Sequence, residues 1–387
     1  MRGPRRNTTT QTGASAKAEA NADKPPRLGS LDALRGATVA GMVLVNSAAT
    51  MHYGLEARVF APLLHARWQG LMLADLVFPA FLTMVGVAIP FSLRGKAADA
   101  GQVRRILART ARLLVLGFVL SNLYWFQDFA SGDWRLFGVL QRIGLVYGAC
   151  ALLFLAAGPR VRWAMIVVVL ALYWPVVLLP ALDGLPTDIM MRGHNFAASV
   201  DRVLLGPHLY VPGRQGYDPE GWLGTLPAIA QGLIGVALGE QLLRGGGAAR
   251  RLLLSGAGMV AVGLAWSLAF PIIKDIWSSS FVLVTAGITA LVLAGLHGWL
   301  DGDRPQGKAA ALFTAATLPF GANAIAAYAL HMLTGGMPAW DLLALPYRTL
   351  RLALGEQVAS LLPVAIYLAL IWAGMEALRR KGWIVRI

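Results

Sequence analysis

Five of the six histidines, His52, His65, His194, His208 and His331, fall in or beside loops on one side of a chain made largely of apolar runs, and only His297 falls on the other. With a reference pKa of about 6.5, imidazole is the side chain best suited to take a proton from an amine nucleophile near neutral pH. His65 stands out among the five. It opens the run that carries Asp75, and Asn46, an amide donor, closes the preceding run across the same face. An ionisable group within hydrocarbon costs about 2.5 to 3.5 kcal/mol even on the lenient insertion scale, so Asp75 asks for a reason. Helical spacing would put Asp75 about 15 Å below His65, with Trp68, Asp75 and Pro79 close to one face. That face either lines a cavity, or Asp75 is neutralised by a structural cation such as Arg142. Gln141 and Arg142 in the fourth run, Gln231 and Glu240 in the sixth and Asn323 in the ninth either share one polar pocket with Asp75 or make separate helix-to-helix hydrogen bonds.

At the opposite end of the first run stands Ser30-Leu31-Asp32-Ala33-Leu34-Arg35-Gly36. Asp32 and Arg35 are one helical turn apart, which suits a structural ion pair. The same residues, beside the cluster from Arg94 to Arg112, suit equally a basic vestibule for a phosphorylated donor. There is no Walker-type loop, no metal-ligand spacing, no Gly-x-Ser-x-Gly elbow and no haem or flavin signature. ATP-driven pumping and most soluble catalytic plans are thereby excluded. The single cysteine, Cys150, rules out an intrachain disulfide and reads as packing.

The elements that must position these groups follow from composition. The chain has 387 residues, 57% hydrophobic and only 14% charged, with a mean hydropathy of +0.59. That is too apolar for a soluble domain of this size. The apolar residues come in blocks of about 20, the length that crosses about 30 Å of hydrocarbon as helix. The fold class is therefore all-α, a polytopic membrane bundle of about ten helices, with spans near 33–51, 69–93, 106–126, 136–157, 163–182, 224–243, 252–270, 277–298, 310–332 and 357–378. With the N-terminus in the cytoplasm, the inner loops hold Arg94, Lys96, Arg104, Arg105, Arg109, Arg160, Arg162, Arg244, Arg250, Arg251 and the tail Arg379-Arg380-Lys381. This is the positive-inside pattern, and it accounts for the net charge of +14 without nucleic acid. An even count returns the C-terminus to the cytoplasm. Residues 1–26 have no apolar period and read as a disordered tail ahead of one domain from 27 to 387. The outer segment 183–223, with His194, Asn195, Asp201, His208, Tyr210 and Tyr217 to Trp222, is too long for a connector and should fold over the outer face.

Several motifs in order carry a resemblance. They are Arg27 to Gly36; Val45-Asn46; His65-Ala66-Arg67-Trp68-Gln69-Gly70 running into Ala74-Asp75-Leu76-Val77-Phe78-Pro79; Gly138 to Ile143; Tyr217 to Gly221; Pro271 to Trp277; and Gly321 to Ile325, ending near His331. From about residue 27 onward the chain resembles the catalytic membrane domain of the heparan-α-glucosaminide N-acetyltransferase family and its bacterial relatives linked to N-acetylglucosamine use. The resemblance implies a cytoplasmic acetyl-CoA donor, an amino-sugar or short-glycan acceptor on the far face of a bacterial inner membrane, and a catalytic pair matching His65 and Asn46. It further implies a donor site drawn from Asp32, Arg35, Gln141, Arg142 and Asn323, acceptor contacts from Trp68, Asp75, Lys274, Trp277 and His331, no metal, and a homo-oligomer, most simply a dimer.

On that resemblance the acetyl thioester threads a polar shaft to His65. There the imidazole acts either as general base, with Asn46 donating to the oxyanion, or as a covalent acetyl-imidazole relay. An amino-sugar permease without chemistry and an O-acyltransferase acting on an envelope glycan are the competing expectations.

Overall fold

A computed structural model describes residues 28–123, 132, 134–302, 305, 307–335 and 340–385; the tail expected over 1–26 lies outside them. The described residues are helical, with isolated bridges but no strand. In chain order the helices are α1 Gly29–Ala49, α2 Leu73–Leu93, α3 Ala100–Ser121, α4 Val139–Ala156, α5 Pro159–Val177, α6 Phe196–Leu205, α7 Trp222–Leu243, α8 Ala248–Trp266, α9 Ser279–Leu300, α10 Lys308–Ala322, α11 Ala324–Thr334, α12 Trp340–Leu343, α13 Leu345–Leu354 and α14 Glu356–Arg380.

Seven of these, α2, α4, α5, α7, α8, α9 and α14, are long and apolar enough to cross a bilayer, and α10 with α11 makes an eighth if the pair, bent by 75°, is one span. The expected total of about ten counted α1 and α3 as well. Both are as long as the others, 21 and 22 residues. They fall short in apolarity, α1 through Asp32, Arg35, Thr38 and Asn46, and α3 through Arg104, Arg105, Arg109 and Arg112.

Helix ends follow local chemistry. Asp99 caps α3 by accepting from the Gln102 amide at 2.7 Å, Asn195 caps α6 through the Ala198 amide at 2.9 Å, and Pro159 opens α5, where no amide hydrogen is needed. At Asn323 the chain breaks between α10 and α11, and the carboxamide there accepts from the Val385 amide at 2.9 Å and donates to the Trp383 carbonyl at 3.2 Å. The tail beyond α14 thus returns to the end of the bundle at which α1 begins. Arg35 donates to the Gly321 carbonyl at that end, and Asp301 accepts from the Gly29 amide at 2.7 Å, covering the N-terminus of α1.

α2 and α7 form the central pair. A methyl on Gly86 would overlap the Gly232 carbonyl, and one on Gly235 the Thr83 carbonyl, so the two backbones touch. Without a hydrophobic drive between helices in lipid, such close approach is what associates them. α1 runs beside α2, and at about 1.5 Å per residue it separates two polar ends by about 30 Å. One end holds Asp32, Arg35, Asn323 and Asp301. The other holds His65, Asp75 and the segment between α5 and α7, which forms α6 and a series of turns.

Candidate functional site

At this second end, residues 65–72 do not continue α2 upward. They form an extended loop that folds back over the first turn of the helix, with Gly70 at φ +108°. The loop is wrapped around one carboxylate. Asp75 Oδ2 accepts from the Ala66 amide at 3.0 Å and the Met72 amide at 3.0 Å, while Oδ1 lies 2.8 Å from Nδ1 of His65. The expected separation of about 15 Å is therefore wrong. It assumed a helix through 65–72, where the carboxylate instead caps the helix start and binds the imidazole directly. Trp68, which precedes the helix, accordingly does not share a helical face with Asp75 and Pro79.

Asp75 is fully buried, whereas the His65 side chain is 46% exposed. A carboxylate on Nδ1 holds the proton there and leaves Nε2 with its lone pair turned toward the open side. This is the arrangement of a general base with an orienting acid.

A third segment completes the site. Gly70 donates to the Ile272 carbonyl at 2.9 Å and Gln69 pairs with Ile273 in antiparallel sense, so the stretch after α8 meets the 65–72 loop there and then turns over 274–277. Lys274 Nζ thereby comes to 3.9 Å from Asp75 Oδ1. The cation beside Asp75 is Lys274, and the expected Asp75–Arg142 pair is not formed. Trp68 donates its indole N–H to the Ile189 carbonyl at 2.9 Å and packs edge-on to Tyr217, which lays the 183–223 segment over the same place.

Arg142 sits on the first turn of α4, buried, donating to the Gly221 carbonyl at 3.2 Å and stacked 4.9 Å from the centre of the Trp277 ring. Its Nε and Nη1 have no protein partner, and neither does Gln141 Oε1. Gln141 and Arg142 therefore lie at the His65 end, a bundle thickness from Asp32, Arg35 and Asn323, and the five residues assigned to the donor do not form one cluster. His331 is buried beside Tyr367, its Nδ1 3.1 Å from the hydroxyl, within the core that also holds Trp340. Asn46 lies on the last turn of α1, at the His65 end, half-buried.

Between the two ends, Trp277 Nε1 donates to Gln231 Oε1 at 2.9 Å, and Gln231 Nε2 donates to Thr83 and Thr285, each at 3.2 Å. Trp277, Gln231, Thr83 and Thr285 are all 1% exposed or less. A ladder of buried hydrogen bonds thus stands between the two ends, and of the two expected arrangements these residues take the divided one, with Glu240 paired to Arg162 at the other end. The Trp277 indole is part of that ladder. A cavity of about 310 Å³ between α5, α7 and α8 is walled mainly by aliphatic groups such as Ile234, Leu238, Leu254 and Val262, and none of the polar groups above lines it.

Further charged groups gather on and around the 183–223 segment. Arg135 binds both Asp218 and Glu220 and stacks 4.6 Å from the Tyr210 ring centre. Burial would raise Glu220, but the charges of Arg135, Arg142 and Lys274 and the Arg135 hydrogen bond together outweigh it and hold the carboxyl below its ordinary value. Asp201, on α6, accepts from the Trp222 amide at 2.9 Å, and burial, reinforced by Asp218, pushes its pKa up to about 7. Asp275 is raised chiefly by burial, against Lys274 and Arg192. The Arg135 pairs with Asp218 and Glu220 span contacts remote in sequence, and the local signals for this cluster are the density of polar residues between apolar runs and the Tyr217 to Gly221 motif. Among the described residues no group of three or more His, Cys, Asp or Glu is arranged to hold a metal ion.

A family profile described as heparan-alpha-glucosaminide N-acetyltransferase, catalytic, matches residues 27–256. The human heparan-alpha-glucosaminide N-acetyltransferase is 28% identical over 334 residues, covering 72% of this chain and 49% of the human protein. The mouse protein of the same name is 26% identical over 332 residues, covering 71% and 49%. The chain spans about half the length of these curated relatives.

Proposed function

Because the chain belongs to the heparan-α-glucosaminide N-acetyltransferase catalytic family, we propose that it moves acetyl from acetyl-CoA, met at the Asp32 end, to the amine of a glucosamine-type sugar at the His65 end. In this proposal the Asp32 end and both termini face the cytoplasm of a bacterial cell, α1 and α3 complete ten crossings, and the acceptor arrives from outside. The observation that carries it is the His65–Asp75 hydrogen bond: an exposed imidazole whose inner nitrogen is held by a buried carboxylate.

The acceptor amine, having released one proton to solvent, attacks the thioester carbonyl. Nε2 of His65 takes a second proton as the N–C bond forms, and Asn46 donates to the oxyanion. Collapse breaks the C–S bond, and the leaving thiolate takes the proton from the imidazolium. Asp75 stabilises that imidazolium throughout, and Lys274 balances the carboxylate when the imidazole is neutral. Trp68 supports the wall of the acceptor site, and the basic loops around Asp32 and Arg35 attract the donor's phosphates.

Purified protein in detergent, given acetyl-CoA and glucosamine, is expected to release free thiol and N-acetylglucosamine together. Uptake of glucosamine into vesicles without acetyl-CoA, and no thiol release with it, would replace the transferase by a permease.

A further inference from the structure

An amino-sugar acceptor arrives near neutral pH as an ammonium ion, and a site that selects it needs a carboxylate within reach of His65. Asp75 is not that group. It is fully buried and both of its oxygens already accept hydrogen bonds, from His65, Ala66 and Met72. Asp218 and Glu220 are not either, since both are bound by Arg135.

Asp275 differs from all three. It lies in the turn 274–277, which directly follows the bridge between Gln69 and Ile273 and so sits beside the 65–72 loop. Its chain neighbour Lys274 stands 3.9 Å from Asp75 Oδ1, the same oxygen that Nδ1 of His65 meets at 2.8 Å, which places the turn beside the dyad. The Asp275 side chain is 18% exposed, so it is reachable, and its cationic neighbour in the outer segment, Arg192, is 48% exposed and stands 3.8 Å away. That distance is longer than a charge-assisted hydrogen bond, and a half-exposed arginine loses little by turning back to water. Tyr217, which packs edge-on to Trp68, lines the same small cavity as Asp275. Lys274 favours the ionised form of Asp275 but is shared with Asp75, whose Oδ1 lies 3.9 Å from its Nζ.

We propose that Asp275 is the ammonium-binding group of the acceptor site, displacing Arg192 when the amino sugar enters. The proposal rests on the transferase reading above. Acetylation removes the acceptor's positive charge, so the same carboxylate that holds the substrate releases the amide product.

The test uses the full chain in detergent with acetyl-CoA and glucosamine, and, separately, calorimetric binding of glucosamine and N-acetylglucosamine without donor. Asp275→Asn is expected to raise KM for glucosamine about 10- to 100-fold with kcat within about twofold, the loss of a hydrogen bond to a charged group. It is also expected to abolish the preference for glucosamine over N-acetylglucosamine in binding. Asp275→Glu should restore part of both, which a merely structural role would not predict. Normal thiol release with an unchanged KM in Asp275→Asn would overturn the proposal and leave the transferase standing. If the wild-type chain transfers nothing, the transferase reading falls, and the binding experiment still decides whether Asp275 selects the amine. An Asp275→Asn variant that does not fold shifts the decision to Asp275→Glu and Arg192→Gln; the latter is expected to lower KM, and a rise would count against displacement of Arg192.

Discussion

Nδ1 of His65 stands 2.8 Å from Oδ1 of Asp75, and the two residues differ sharply in exposure, the imidazole being 46% open and the carboxylate closed to solvent. A buried carboxylate that already accepts from two backbone amides is rigid, so the imidazole it binds is fixed in both orientation and tautomer. Asp75→Asn can keep the backbone contacts, but it presents His65 with a neutral partner that neither fixes the Nδ1 proton nor stabilises an imidazolium. The expected result is a loss of kcat of about 10²- to 10⁴-fold, with glucosamine KM changed far less. His65→Ala should lose thiol release altogether. Full activity in His65→Ala would remove the imidazole from the mechanism.

Much of the bundle is legible in the sequence because crossing a bilayer imposes a length and a polarity on each helix, and no alternative pattern fits runs such as Leu73–Leu93 or Ser279–Leu300. The start of α2 departs from the helical spacing for a local reason. Trp68, Leu71 and Met72 look like its continuation, while Gly70 at positive φ and the backbone bond to Ile272 make 65–72 a loop. Only Gly70 could have signalled this in advance. The partners of Asp75 and Arg142 were equally hidden, since Lys274 and Gly221 reach them from remote parts of the chain. The ladder between the ends depends on Trp277 and Gln231 meeting, a fact of packing that no spacing encodes.

Asn46 closes α1 at the same end as the dyad, and its proposed task is to donate to the oxyanion. Loss of one such donor typically costs about 2.7 to 4 kcal/mol of transition-state stabilisation. Asn46→Ala is therefore expected to lower kcat about 10²- to 10³-fold while leaving the binding of glucosamine, measured without donor, unchanged. Labelled acetyl-CoA supplied alone separates the two modes of His65. Label that stays on the quenched wild-type protein and is lost in His65→Gln marks a covalent relay, and its absence through a full turnover favours the general base.

Asp201 carries the pH dependence of stability that is clearest in sign. Its carboxyl is raised from 3.8 to about 7 in the folded chain, first by burial and then by Asp218, against the Trp222 amide. A raised folded pKa means the native state binds the proton more tightly than the unfolded one. The associated stability is thus complete below about pH 4, declines as the pH climbs toward 7 and is gone above it, a change on the order of 4 kcal/mol. Melting in detergent should therefore move to lower temperature between pH 5 and 7.5, to an extent that Asp201→Asn reduces, since the amide stays neutral and its oxygen can still accept from Trp222. An unaltered slope in Asp201→Asn would assign the pH dependence to other groups.

The crossing of α2 and α7 sets the position of both the dyad and the ladder, since α2 carries Asp75 and α7 carries Gln231. At Gly235 an added methyl would collide with the Thr83 carbonyl, which belongs to the facing backbone and cannot rotate away as a side chain would. The helices would have to separate along the line where Gln231 donates to Thr83 and to the Pro79 carbonyl. Gly235→Ala is therefore expected to destabilise the chain by about 1 to 3 kcal/mol, the usual range for overpacking a close contact. Gly258 on α8 provides the contrast, because a methyl there meets nothing within 4 Å. Gly258→Ala should be neutral or slightly stabilising, as removing glycine from a helix interior generally is. Thermal melts of the two variants side by side give the answer: equal melting temperatures would mean that the α2–α7 contact tolerates expansion and does not fix the site.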